Sequence, residues 1–364
     1  VAEPVHEISI DPGSALPDDE GPLAGLQWPG TSPEARTLIH DDGTHLSQVN
    51  LDGERKILWE HPAAGSYAIA ASSGGEKIAF VVYIGGRRSE DVSAVLYELT
   101  SDGRVRTIDV VRDFSTIATP IYLRPPSDWE SAEKLYWVRL NDESEGAWAE
   151  SEVMVLDGDR VRAVSVQLRD GELPFAIHGF PGAATFSLTL QRQNNVPTRL
   201  EILRNMDFVN PGLVLTQWRY FESRAQTEIF TGVAWLSPTQ YVIPVGHEFY
   251  FEKRSLRLFK IGCEYFGSSK VEGGWKVDRG NDISWDLLPV GAHRVLVLMA
   301  EEVSALVQGE RDQVPWHVLD VRDGTTRASP FRWQEGPWSW VAPITNVDPQ
   351  ARERRCEQRA FTWP

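Results

Sequence analysis

Sulfur is scarce in this chain of 364 residues, which carries two cysteines and three methionines. Two cysteines, Cys263 and Cys356, are too few for a disulfide scaffold, and no Cys-x-x-Cys pair offers a metal or redox site. Long apolar runs are missing as well. The best, Val295 to Ala300, has the length of one buried strand and falls far short of the ~20 residues of a membrane-spanning helix. Basic residues are in deficit, 36 Lys and Arg against 52 Asp and Glu, for a formal charge of −16. A field of that sign repels phosphate backbones and anionic lipid, so neither nucleic acid nor a membrane surface is an expected partner. The charges are scattered rather than blocked, as on a solubilising surface. A Gly-x-Ser-x-Gly elbow, a phosphate loop and a dinucleotide fingerprint are all absent from the sequence.

What the chain has in quantity is turn residues and aromatics: 29 glycines, 23 prolines and 14 tryptophans. Asp52-Gly53, Asp102-Gly103, Asp157-Gly158, Gly273-Gly274 and Asp323-Gly324 each follow one strand-like run and precede another. Their spacing is about 50 residues, or about twice that across one degenerate cycle, and such dipeptides suit tight hairpins. A four-stranded sheet is the unit of that length. The chain therefore reads as an all-β protein, a β-propeller with seven blades of mostly four antiparallel strands, the alternative being six. Leu26, Ile69, Ile121, Ile177, Val233, Trp285 and Trp340 mark the seven expected innermost strands. Proline in six of the seven turns that follow fits positions that donate to no ladder.

Residues 1–21 read as an acidic N-terminal arm ahead of a propeller over 22–364. Glu7 to Ile10 is its one strand candidate, expected to close the last blade beside Glu357 to Trp363 and so remove an exposed edge. On this layout Cys263 and Cys356 fall in blades that do not touch, and two free thiols are expected, since a bridge needs Cα atoms within ~7 Å. A first residue of Val rather than Met fits removal of a leader and an extracytoplasmic location; the alternative is cytoplasmic.

Ser72-Ser73-Gly74-Gly75-Glu76-Lys77-Ile78-Ala79-Phe80, with Leu96-Tyr97-Glu98-Leu99 and Asp102-Gly103, resembles the repeat of TolB-like propellers, a WD40-like family. Ser237-Pro238, Val318-Leu319-Asp320 with Asp323-Gly324, and Gln48-Val49-Asn50-Leu51 before Asp52-Gly53 echo parts of it. Gly74-Gly75 stands where that family has Pro-Asp. The resemblance implies fold and carries no activity with it.

Candidate chemistry is local. In His40-Asp41-Asp42-Gly43-Thr44-His45, a two-residue turn at Asp42-Gly43 would set His40 opposite His45 with Cβ atoms ~5 Å apart, close enough to share a divalent metal. The bland reading is a polar hairpin tip. His247-Glu248-Phe249-Tyr250 lies in the equivalent loop of the fifth blade, and Arg87 in that of the second. His40, His45, Arg87, His247 and Tyr250 thus share one rim, suited to a protein, small-molecule or carbohydrate ligand. Gln27, Tyr122, His178 and Asp286 are expected to face the central channel, with Asp286 and His178 as acid and base. The plainer reading there is ordered water. Trp28, Trp235, Trp285, Trp338 and Trp340 suit blade-to-blade packing better than a carbohydrate platform. The leading functional expectation is a non-enzymatic binding or scaffold module with no cofactor. The alternative is a propeller enzyme at the channel mouth, a glycoside hydrolase or lyase or a metal-dependent hydrolase.

Overall fold

A computed structural model of the chain describes residues 7–8, 37–49, 55–60, 66–72, 76–83, 92–112, 115–123, 133–142, 148–164, 166, 168, 171–183, 185–191, 197–204, 218–222, 228–230, 233–237, 240–247, 255–261, 271–276, 283–290, 294–299, 302, 305, 314–321, 325–332 and 338–341. Helical backbone is confined, among these residues, to Glu302 and Ala305. The rest of the ordered elements are strands.

Strand β1 (Glu7–Ile8) stands apart at the start. Next come β2 (Thr37–Asp41), β3 (His45–Val49) and β4 (Arg55–Glu60), three strands of a first sheet. The second sheet is β5 (Ser66–Ala71), β6 (Lys77–Tyr83), β7 (Val92–Thr100) and β8 (Val105–Arg112). The third is β9 (Thr116–Leu123), β10 (Lys134–Asp142), β11 (Trp148–Asp157) and β12 (Arg160–Val164). The fourth is β13 (Leu173–Gly179), β14 (Thr185–Gln191), β15 (Pro197–Arg204) and β16 (Trp218–Glu222). In the fifth, β17 (Glu228–Phe230) and β18 (Ala234–Ser237) both pair β19 (Gln240–His247), followed by β20 (Ser255–Ile261) and β21 (Val271–Lys276). The sixth is β22 (Ile283–Pro289), β23 (Arg294–Met299), β24 (Pro315–Asp320) and β25 (Thr326–Arg332). Finally β26 (Trp338–Val341) returns to the first sheet and pairs β2.

Each sheet is an antiparallel meander read outward from its inner strand. The inner strands touch in a cycle: β5 with β9, β9 with β13, β13 with β18, β18 with β22, β22 with β26, and β26 with β5. Sheets arranged radially about an axis in this way make a β-propeller. The described strands form six sheets, against the seven expected. The difference has a definite origin. Trp340, expected to open a seventh blade, pairs Leu38 and is the inner strand of the first. Leu26, expected in that place, lies outside the described residues, as do Glu357 to Trp363 and both cysteines.

Two other expectations change. Glu7 and Ile8 pair Arg106 and Val105, so the arm's strand extends the outer edge of the second sheet and takes no part in ring closure. Gly273-Gly274 is no hairpin. It sits within β21, where Phe259 pairs Gly273, Leu258 pairs Trp275, and Gly274 is the extra residue of a bulge. In the fourth sheet the outer strand is β16, and Asn205 to Asn210 lie outside the described residues. Gly103 and Gly158 do carry positive φ in the hairpins expected for them.

The core lies in slabs between neighbouring sheets. Strand β6 shows why its sequence is apolar without alternation. Ile78, Phe80 and Val82 pack toward Ile39 and Leu46 of the first sheet, while Ala79 and Val81 pack toward Leu135 and Trp137 of the third. Both faces are buried, so both must be apolar. Close approach demands small residues in places: a Cβ on Gly179 would stand 2.9 Å from Ile121 Cδ1 of the neighbouring inner strand. Bulges recur where inner strands meet their second strands, at Ser66/Ala68, at Pro174/Ala176 and opposite Trp137. They add local twist where the sheets crowd the axis. At the last of these, Thr119 adopts φ 42°, and its hydroxyl oxygen accepts the Ile177 N–H from the next sheet at 2.9 Å.

Candidate functional site

With four strands to a sheet, successive inner strands run the same way. The hairpins joining second to third strands therefore all emerge at one end of the ring. This rim carries the β2–β3 tip, and that tip is its best-described part.

The tip is not the two-residue turn expected. Asp41 pairs Leu46 and His40 pairs Ser47, which leaves a four-residue loop from Asp42 to His45. The cause is local chemistry. Asp42 Oδ1 accepts the backbone N–H groups of Thr44 (2.9 Å) and His45 (2.7 Å) and the Thr44 hydroxyl (2.8 Å). One carboxylate thereby collects three donors and winds the chain around itself. Asp41 Oδ1 accepts the N–H of Gly43, which has φ 87°. Burial alone would raise the Asp42 carboxyl. The Thr44 and His45 donors, with the His45 charge, overcome it and hold Asp42 well below the usual carboxylate range.

This register separates the two histidines. His40 is wholly buried on β2, whereas His45 is half-buried and pairs Glu60. Between them stands Arg55. Its Nη2 is 2.9 Å from His40 Nδ1 and its Nη1 is 3.9 Å from Asp42 Oδ2. Asp42 Oδ1 in turn lies 3.5 Å from His45 Nδ1, and the Thr44 hydroxyl oxygen lies 2.8 Å from the same nitrogen. Arg55 and Asp42 thus link the two imidazoles, candidates for a shared metal, through a chain of polar contacts. Among the described residues no cluster of three or more His, Cys, Asp or Glu could hold a metal ion.

The remaining rim residues are less fully seen. His247 ends β19 and pairs Glu228. Arg87 and Tyr250 lie outside the described residues.

The channel residues divide. Tyr122 is buried between sheets, and its hydroxyl donates to Glu98 Oε2 at 3.0 Å. Burial, then the Glu98 charge, pushes its phenol well above the ordinary value. It faces the second sheet because Glu98, itself buried, is held there by Arg106 at 2.8 Å. His178 lies on β13, and burial pushes its imidazole down to about 4, so it is neutral near pH 7. Asp286 lies on β22, two sheets away. Gln27 and Trp28 lie outside the described residues. Trp235 is core: its ring lies 4.9 Å from that of Tyr241, and its Nε1–H donates to Ser187 Oγ across the joint between the fourth and fifth sheets.

Buried carboxylates that form no sequence motif stand at the sheet joints. Asp109 on β8 accepts from Trp137 Nε1 and Arg139 Nε, both at 2.8 Å, and from Arg139 Nη2. Glu98, Arg106, Tyr122 and Asp159 form a second network across the same joint. The alternation of β8 gave the available signal, since it places Asp109 among apolar neighbours.

No family model matches the chain, and no curated protein matches it in sequence. Solved structures resemble it. One is of prolyl endopeptidases, with 9% identity over 81% of this chain and 42% of that one, at a TM-score of 0.48. This chain therefore spans less than half the length of those enzymes. Another is the Cps50 (Swd1) β-propeller domain of Myceliophteria thermophila, with 13% identity over 86% of this chain and 92% of that one, at a TM-score of 0.48. A third is the oligogalacturonate lyase of Vibrio parahaemolyticus, with 13% identity, coverages of 73% and 71%, and a TM-score of 0.44. At such identities a likeness concerns the fold alone.

Proposed function

We propose that this propeller is a binding module that acts without chemistry of its own and grips a partner on the rim of second-to-third-strand hairpins. The carrying observation is the β2–β3 tip. Asp42 fixes the loop through three hydrogen bonds, and the same loop leaves Thr44 exposed and His45 partly exposed to solvent. A loop already held in one shape loses little freedom on binding. Deeper polar groups point the same way, because Glu98 and Asp109 are engaged with arginines at sheet joints.

The test is a screen of the protein against peptide and glycan arrays, followed by a paired variant, Asp42→Ala with His45→Ala. Affinity for any captured ligand is expected to fall at least about tenfold, about 1.4 kcal/mol, and the unfolding midpoint to fall modestly as the loop loses the Asp42 hydrogen bonds. Unchanged affinity would remove this tip from the binding surface. Turnover of a glycoside or uronide panel, abolished by Asp286→Asn, would replace the reading with an enzyme at the channel mouth.

A further inference from the structure

We propose that the seam where β26 closes the ring is an acid-sensitive latch, with His40 as its sensor. The inference is independent of what the rim binds. His40 is 0% exposed and sits on β2, the strand that receives β26. In register it lies between Trp338 of β26 and Ser47 of β3.

Its protonation state follows from its neighbour. A guanidinium only donates, so the contact of 2.9 Å from Arg55 Nη2 requires a lone pair on His40 Nδ1. The imidazole is therefore neutral and carries its proton on Nε2. A second proton has to enter at Nδ1, the atom that holds Arg55. Protonation breaks that bond and sets two cations side by side in a buried place, where like charges repel strongly.

The titratable groups on the strands around His40 are few. Neither β26 nor β5, which packs against both β26 and β2, contains Asp, Glu, Lys, Arg or His. Strand β3 contributes His45, and β4 contributes Arg55, Lys56 and Glu60. On β2 itself, Asp41 accepts from Gly43, and Asp42 follows directly in the loop. Asp42 stays ionised far below neutral pH, so it cannot be what changes between pH 7 and pH 5. Burial pulls the Arg55 guanidinium below its ordinary value, with Asp42 opposing, as befits a poorly solvated cation. Once His40 is charged, the two cations must part. β2 is held to β26 and to β3 by four register pairs each, but β3 is also tied to β2 by its short hairpin, so the strand at risk is β26.

Amide hydrogen exchange at pH 7 and pH 5, corrected for intrinsic rates, tests this on the full chain. Amides of β2 and β26 should lose protection by up to about tenfold per pH unit for a one-proton event, while those of β9 and β10 hold. His40→Asn keeps an acceptor for Arg55 but takes up no proton. Arg55→Gln keeps a donor but no charge. Each should flatten the pH response at the seam, and if one fails to fold the other serves alone. An equal response across all sheets, or a folded variant that keeps the wild-type response, would overturn the proposal.

Discussion

Asp109 shows how a single side chain can decide a joint. It stands on an outer strand among apolar neighbours, yet it collects Trp137 and the fork of Arg139 from the next sheet. Burial of a carboxylate is tolerable when every lone pair finds a donor. The carboxylate raises Arg139 in return: its hydrogen bonds lift the guanidinium above its ordinary value against the opposing effect of burial. Asp109→Ala leaves a part-buried cation and an indole N–H without their acceptor. A loss of about 3–5 kcal/mol is expected in urea unfolding. Asp109→Asn, which retains one acceptor, should lose clearly less. The alternation of β8 marked Asp109 as inward-facing, but its partners Trp137 and Arg139 lie on the next sheet, and no spacing in the sequence joins them to it. His40 and His45 teach the same lesson. Their types and rim location were legible, but the loop length was not, since it depends on how many donors Asp42 gathers.

At the scale of elements, legibility was high wherever a strand is buried on both faces. Ile69, Ile121 and Ile177 do mark inner strands, and the apolar run Ile78-Ala79-Phe80 is strand β6. A continuous apolar run of this length between turn residues leaves few alternatives. Sheet count was the harder inference. A strand pattern shows that a segment is an inner strand but not which second strand it joins, so β26 was assigned a sheet of its own. The pairing itself can be tested. Thr37 and Val341 are register partners at the seam, and cysteines there should form a staple under oxidising conditions. Closing a loop this long should stabilise the chain by up to about 5 kcal/mol on a chain-entropy basis, read as a raised denaturant midpoint that returns on reduction. Failure to oxidise would place β26 elsewhere.

For the molecule as a whole, acid should act in two stages. The first is the local one at the seam. The second is global and belongs to carboxylates held below their ordinary range. Asp157 is lowered chiefly by the Lys134 ammonium, 2.6 Å away, against burial, with Arg162 assisting. Asp102 is lowered first by the Thr100 hydroxyl and then, against burial, by Arg104. A carboxylate with a depressed folded pKa adds stability above its unfolded value, about 3.9, and loses it as pH falls through the folded one. Thermal midpoints should therefore fall steeply only below about pH 4. Lys134→Met is expected to shallow that acid limb, and an unchanged limb would show that the pair adds nothing to folding.

The partners Leu38 and Trp340 lie roughly 300 residues apart in the chain. At ~5–20 residues per second of synthesis, the first sheet leaves the ribosome ~15–60 s before its inner strand exists. Throughout that interval the free side of β2 offers unpaired backbone to any passing strand. A chaperone covering Thr37–Asp41 would shield that edge until β26 is translated.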